Sequence, residues 1–156
     1  MKKYSKEDQR IMAAWAAGCA ERVLPFFEKA YPNDDRPRHA IEACRSWVST
    51  GVFKMAIIRG ASLAAHAAAR EAKAAACFAA RAAGHAVATA HVAQHAYGSA
   101  YYALKAVAAA HAGEVAKERA WQSRHLPRHL RHIMNRIRVE HKGEKMSIKI
   151  LKDEGF

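Results

Sequence analysis

The stretch from Lys54 to Ala112 reads KMAIIRGASL AAHAAAREAK AAACFAARAA GHAVATAHVA QHAYGSAYYA LKAVAAAHA, and almost every residue in it favours helix. Gly60, Gly84 and Gly98 are its only breakers. The reading places a turn at Gly84, giving one helix over 54–82 and a second over 85–111, with Gly60 as a further candidate break. Alanine makes up roughly a quarter of the chain and crowds into this stretch. So many small side chains let helix axes approach toward the short end of the usual separation of about 8–10 Å. The sparse bulky residues (Leu63, Phe78, Val87, Val92, Tyr101, Leu104, Val107) are then expected to lock the register.

Outward from this centre the pattern stays helical. Ser5 caps a helix over 5–30 whose apolar face runs through Ile11, Trp15, Cys19, Val23, Phe26 and Phe27, and Pro25 is expected to kink or divide it. Tyr31-Pro32-Asn33-Asp34-Asp35 is a turn, and Asp34 or Asp35 caps a helix that carries Pro37 in its first turn and ends at Gly51. Arg38 and Glu42 lie four apart in it, the spacing of an exposed ion pair. Glu114 to Trp121 continues helical, Pro127 breaks the chain, and Arg128–Arg138 is read as a last helix with Leu130, Ile133, Met134 and Ile137 inward. Met146–Ile150 alternates like a strand without an apparent partner. The expectation is an all-α protein: a compact bundle of six or seven helices, or irregular stacked helical hairpins, with a short non-helical C-terminal tail. Residues 1–139 form the helical domain and 140–156 a basic tail, in a monomer or homodimer.

A chain of 156 residues is long enough for one domain with a core that needs no disulfide or metal. Cys19, Cys44 and Cys77 are an odd number with no CxxC, which points to a reducing cytoplasm and against a disulfide framework or zinc knuckle. Lys2, Lys3, Ile11–Ala17 and Gly18-Cys19 imitate a lipoprotein signal poorly, because Glu7 and Asp8 interrupt it. No segment reaches the ~20 apolar residues of a spanning helix, so no membrane partner is expected. The net charge of +12 favours anionic partners or simple solubility. Its densest part, Arg124 to Arg138, holds five arginines and three histidines and no acid. Arg124, Arg128, Arg131 and Arg138 on one side of a short helix would suit phosphates, the basis of an alternative reading as a nucleic-acid or anion binder; a solvated face is the other account.

For chemistry, His91 and His95 are four apart, as zinc-binding pairs are, with His85 a turn and a half earlier and His66 on the preceding helix. Between 61 and 112 the only acid is Glu71, so carboxylate-bridged metal sites have no ligands there. Histidines hydrogen-bonded between packed helices are the competing reading of the same residues. There is no GxSxG and no phosphate-cradling glycine loop. No enzyme activity, metal or cofactor is expected.

Four blocks stand in order along the chain: Trp15-Ala-Ala-Gly-Cys-Ala-Glu-Arg-Val-Leu-Pro-Phe-Phe-Glu28, Asp34-Asp-Arg-Pro-Arg-His-Ala-Ile-Glu-Ala-Cys-Arg45, Ala83-Gly-His-Ala-Val-Ala-Thr-Ala-His-Val-Ala-Gln-His95, and Trp121 through Pro127 to Leu130. Over residues 10–135 the chain resembles the immunity-protein-five-like family, small alanine-rich helical proteins associated with bacterial toxin–immunity systems. That resemblance implies a cytosolic protein that binds and occludes a cognate toxin without chemistry of its own. At +12 the chain would repel a basic nuclease, so an acidic or apolar face on the toxin fits better. The polar residues of these blocks are the candidate binding set: Asp35, Arg36, Arg38 and Glu42 on one helix, and Arg81, His85, Thr89, His91 and His95 around Gly84. If the two groups are neighbours they form a charged groove; a buried network fixing helix register is the alternative.

Overall fold

The structure, a computed structural model, describes residues 2–151. Ser5 accepts a hydrogen bond from the Asp8 backbone N–H at 3.0 Å and starts α1 (Lys6–Ala30), which runs unbroken through Pro25 rather than dividing there. α2 spans Arg36–Thr50, with Pro37 in its first turn and Gly51 closing it in the left-handed conformation at φ 70°. Asp34, not Asp35, serves the helix start, its Oδ1 accepting from the Arg36 N–H at 3.1 Å.

The alanine-rich centre forms three helices where two were expected. α3 covers Met55–Glu71, α4 Ala74–Ala88 and α5 His95–Ala110. The first reversal falls at Ala72 and Lys73, with Ala74 at φ 49°, a conformation that costs an L-residue about 1–2 kcal/mol. Gly60, Gly84 and Gly98 all lie inside helices. Gly84 is therefore not the turn. Its missing side chain admits the His66 ring from α3. The second reversal, Thr89–Gln94, carries His91, so His91 and His95 do not share a helical face.

α4 is the hub, packed against α1, α2, α3 and α5. A helix surrounded this closely must be thin, and the sequence of α4 is mostly alanine with Gly84 near its end. α1 supplies the bulk that alanine cannot, burying Met12, Trp15, Val23, Leu24 and Phe27. Val87, Leu104 and Val107 are buried as expected, whereas Leu63 faces solvent. Buried polar groups tie the helices together. Ser99 Oγ donates to the Ala16 carbonyl at 2.9 Å, Trp15 Nε1 to the Gln122 carbonyl at 2.9 Å, and Gln122 Nε2 to the Ala100 carbonyl at 3.1 Å.

A 3-10 turn (Ala112–Glu114) leads into α6 (Val115–Arg124), where Glu118 receives a bidentate bond from Arg22. Beyond Pro127 the expected last helix is replaced by 3-10 turns over Arg128–Arg136, and at Ile137 the chain enters strand β1 (Ile137–Lys142). β1 pairs antiparallel with β2 (Lys145–Ile150) around Gly143 at φ 59°, in the register Ile137↔Ile150, Val139↔Ile148 and His141↔Met146. The alternation in 146–150 therefore has its partner in residues 137–141, of which Ile137 and Arg138 belong to the last helix that periodicity predicts. The inward positions Leu130, Ile133, Met134 and Ile137 are buried all the same. Among the described residues no helix is long and apolar enough to cross a membrane.

Candidate functional site

Glycine brings three imidazoles from three helices into one cluster. The His66 ring occupies the space a Cβ on Gly84 would need, with Nε2 only 2.7 Å from that position, and the His85 ring sits likewise over Gly98, with Nδ1 at 2.5 Å. His66 and His85 meet edge to face with centroids 5.1 Å apart, and Tyr102 stacks on His85 at 5.3 Å. His95 Nδ1 lies 3.3 Å from His85 Nδ1. Ser62 Oγ reinforces the contact between α3 and α4 by donating to the Gly84 carbonyl at 2.9 Å.

The protonation of this cluster follows from its partners. Arg81 Nη1 lies 3.0 Å from His66 Nδ1. Arginine has no acceptor, so His66 Nδ1 offers its lone pair and the ring proton resides on Nε2. Burial pushes His66 down to about 4, helped by the charge of Arg81, and pushes His85 down to about 3, helped by charge on His66. Burial also lowers His95. At neutral pH these rings are uncharged. The cluster borders a cleft of about 300 Å³ between α3 and the reversal after α4, lined by Ile58, Arg59, Leu63, His66, His91 and His95. Among the described residues no group of three or more His, Cys, Asp or Glu is arranged to hold a metal ion. The cleft thus offers ring nitrogens and a guanidinium set in an apolar hollow.

The other half of the expected groove lies elsewhere. Arg36 pairs with Asp34 and reaches Glu71 at the end of α3, both at 2.6 Å. Arg38 pairs with Glu28 of α1 rather than with Glu42. Asp35 faces His39 at 3.4 Å, and Glu42 lines a shallow depression with Glu21 and Arg45. These bonds join the start of α2 to α1 and α3, while His85, His91 and His95 sit at the opposite end of α4. The structure brings His85 and His95 together, seats Arg81 against His66, and buries Thr89, whose Oγ1 donates to the His85 carbonyl at 3.1 Å. His66, read from the sequence as an imidazole on the preceding helix, joins this set by filling the space over Gly84.

Arg124, Arg128, Arg131 and Arg138 are all exposed, but they occupy α6, the 3-10 turns and β1 rather than one helix face. Arg131 turns back to donate from Nε to the Leu126 carbonyl at 3.1 Å. The single helical stripe that motivated phosphate binding is therefore not formed.

The reading by periodicity missed one surface. Among the described residues, Val52, Phe53, Met55, Ile57 and Leu63 are the exposed large apolar side chains, each between 42% and 60% accessible, and all fall in the loop after α2 and the first half of α3. α3 turns Ala65, Ala68 and Ala69 toward the bundle and most of its bulk outward. Ile57 and Val52 flank a second hollow of about 220 Å³, while Met55 and Leu63 edge the histidine cleft. Helical spacing gave little signal for it: Leu63 lies across α3 from Ala65, Ala68 and Ala69, but Ile57, eleven residues before Ala68, shares their face.

No curated protein and no solved structure matches the chain. One family model does, over residues 2–129, from the segment before α1 into the first of the 3-10 turns after Pro127. That range takes in every helix of the bundle and leaves the hairpin outside, and it makes the chain a member of the Imm-5 like putative immunity protein family.

Proposed function

We propose that this protein neutralises a cognate bacterial toxin by binding and covering it, without catalysing a reaction. The observation that carries this reading is the gathering of the exposed large apolar side chains into Val52–Leu63. Burying such a side chain is worth about 1.5–3 kcal/mol, and monomeric proteins rarely leave several together in water unless a partner covers them. Family membership supports a toxin as that partner. His91 and His95, from the binding set expected on sequence grounds, border the same face, whereas Arg36 and Arg38 are paired within the bundle and Asp35 with His39 of its own helix. A stable inhibitory interface would cover on the order of 1,200–2,000 Å² in total, more than the apolar strip alone, so neighbouring polar residues must contribute.

The test is to co-express the chain with each product of its flanking genes that arrests growth. The wild-type chain is expected to restore growth and to co-purify with the toxin. Growth arrest unaffected by the chain, together with no complex on size exclusion, would remove the reading.

A further inference from the structure

We infer that the strip Val52–Leu63 and the histidine cleft beside it form one docking surface for an apolar segment bearing carboxylates on the partner protein. The proposal rests on the toxin-binding reading for its biology, but the surface and the chemistry of its occupant are argued from the structure alone.

The shape comes first. The ridge of α3 is bounded by two hollows, about 300 Å³ on the histidine side and about 220 Å³ on the side of Trp47 and Val52. A ridge between two hollows fits the knobs and grooves of an amphipathic element. Charge then selects the occupant. From Gly51 to Arg70 there is no acid, and the side-chain charges of Lys54, Arg59 and Arg70 have no ion-pair or hydrogen-bond partner among the described residues. This contrasts with Arg22, Arg36, Arg38 and Arg45, each of which is paired inside the molecule. Arg59 lines the cleft together with His66, His91 and His95, so a carboxylate entering there meets a guanidinium and imidazoles and no competing acid.

The same charges disfavour the other occupants. A second copy related by two-fold symmetry would set this cationic, acid-free strip against an identical one, with no carboxylate on either side to compensate. A flat anionic bilayer would satisfy the cations but leave both hollows unfilled. An acidic, apolar protein segment satisfies cations and hollows together.

The probe is a short amphipathic helical peptide with leucines on one face and glutamates on the other, compared with a twin in which lysines replace the glutamates. Isotope-labelled full-length protein is titrated with each. The glutamate peptide is expected to shift amides grouped over 52–66 and 88–95, saturably, and to bind roughly tenfold more tightly than its twin, with a preference that fades as salt is added. Ile57→Ser with Leu63→Ser should abolish those shifts while leaving the circular dichroism unchanged, because both side chains are exposed. Arg59→Glu should weaken the glutamate peptide and strengthen the lysine one. Equal binding of the twins, shifts centred elsewhere, or no response would overturn the proposal. So would binding of phosphatidylglycerol vesicles or self-association through the same residues in place of the peptide. Co-expression separates the two levels. If Ile57→Ser with Leu63→Ser protects cells as well as wild type, this surface is wrong and toxin binding stands. If wild type never protects yet the glutamate peptide binds here, toxin binding fails and the surface stands.

Discussion

Replacing Gly98 with alanine should destabilise the protein, although alanine is the better helix former. A glycine inside a helix is worth about 1 kcal/mol less than alanine at an unhindered position. Gly60, in α3 with nothing within 4 Å of its would-be Cβ, is such a position, so Gly60→Ala is expected to stabilise by about 1 kcal/mol. At Gly98 the new Cβ would lie 2.5 Å from His85 Nδ1 and 2.8 Å from its Cγ. The ring has nowhere to retreat, since His66, His95 and Tyr102 hold it on its other sides. Overpacking of this kind costs about 1–3 kcal/mol, which matches or exceeds the propensity gain. The two variants should therefore differ by about 2 kcal/mol, or several degrees in Tm for a domain of this size. Urea titrations followed by far-ultraviolet circular dichroism measure the difference directly. His85→Ala in the Gly98→Ala background should recover part of the loss, because the clash is then gone, and the cycle should show a coupling of about 1 kcal/mol or more. If Gly98→Ala stabilises as much as Gly60→Ala, the imidazole is not wedged against α5 and the geometry of the cluster is wrong.

The depressed imidazoles make stability fall in weak acid. The unfolded chain takes up protons below about pH 6.5, whereas native His66 and His85 resist until about 4 and 3, so their contribution is present above pH 6.5 and lost as the pH falls through that window. At about 1.4 kcal/mol per unit, the more buried His85 alone accounts for a loss of about 2–3 kcal/mol between neutrality and about pH 4.5, and His66, more open to water, adds less. Chemical denaturation across that range reads the slope, which should flatten in His85→Gln; an unchanged slope would place the rings in water. Thiol labelling tests the packing of α1 and α2 against the bundle. Burial raises the Cys19 thiol well above its ordinary range and Cys44 to about 12, while Cys77 is partly exposed, so an aromatic disulfide reagent should reach only Cys77 in the native protein and all three thiols in denaturant. Rapid native labelling of Cys44 would show that α2 opens readily.

Much of the fold was legible along the chain because helix formation and helix ends are local matters. Ser5, Pro37 and Gly51 mark boundaries through their own backbone preferences, and the structure keeps all three. The hairpin was half legible. Alternation in 146–150 announced a strand, but Ile137 also satisfies a helical spacing of inward residues after Leu130, Ile133 and Met134. Both readings bury Ile137, and only the arrival of β2 as a pairing partner chooses between them.

The site was less legible, for a related reason. Spacing places His91 and His95 on one helix face, yet the chain reverses through His91, and the rings that meet are His66, His85 and His95 from three helices. Gly84 and Gly98 could each have been a turn or a place of close approach. A missing Cβ permits both, and the deciding fact is whether an imidazole from another helix needs the space. Which side of α3 faces water was likewise open, since alanine and leucine are both admissible core residues. α4 can accept close neighbours on several sides only if they are thin, so α3 presents Ala65, Ala68 and Ala69 to the bundle and leaves Ile57 and Leu63 outside. Local preference along the chain settles where helices form. Whether a small residue marks a bend or a contact, and whether a large one is core or interface, depends on distances between segments far apart in sequence, and those exist only once the helices have packed.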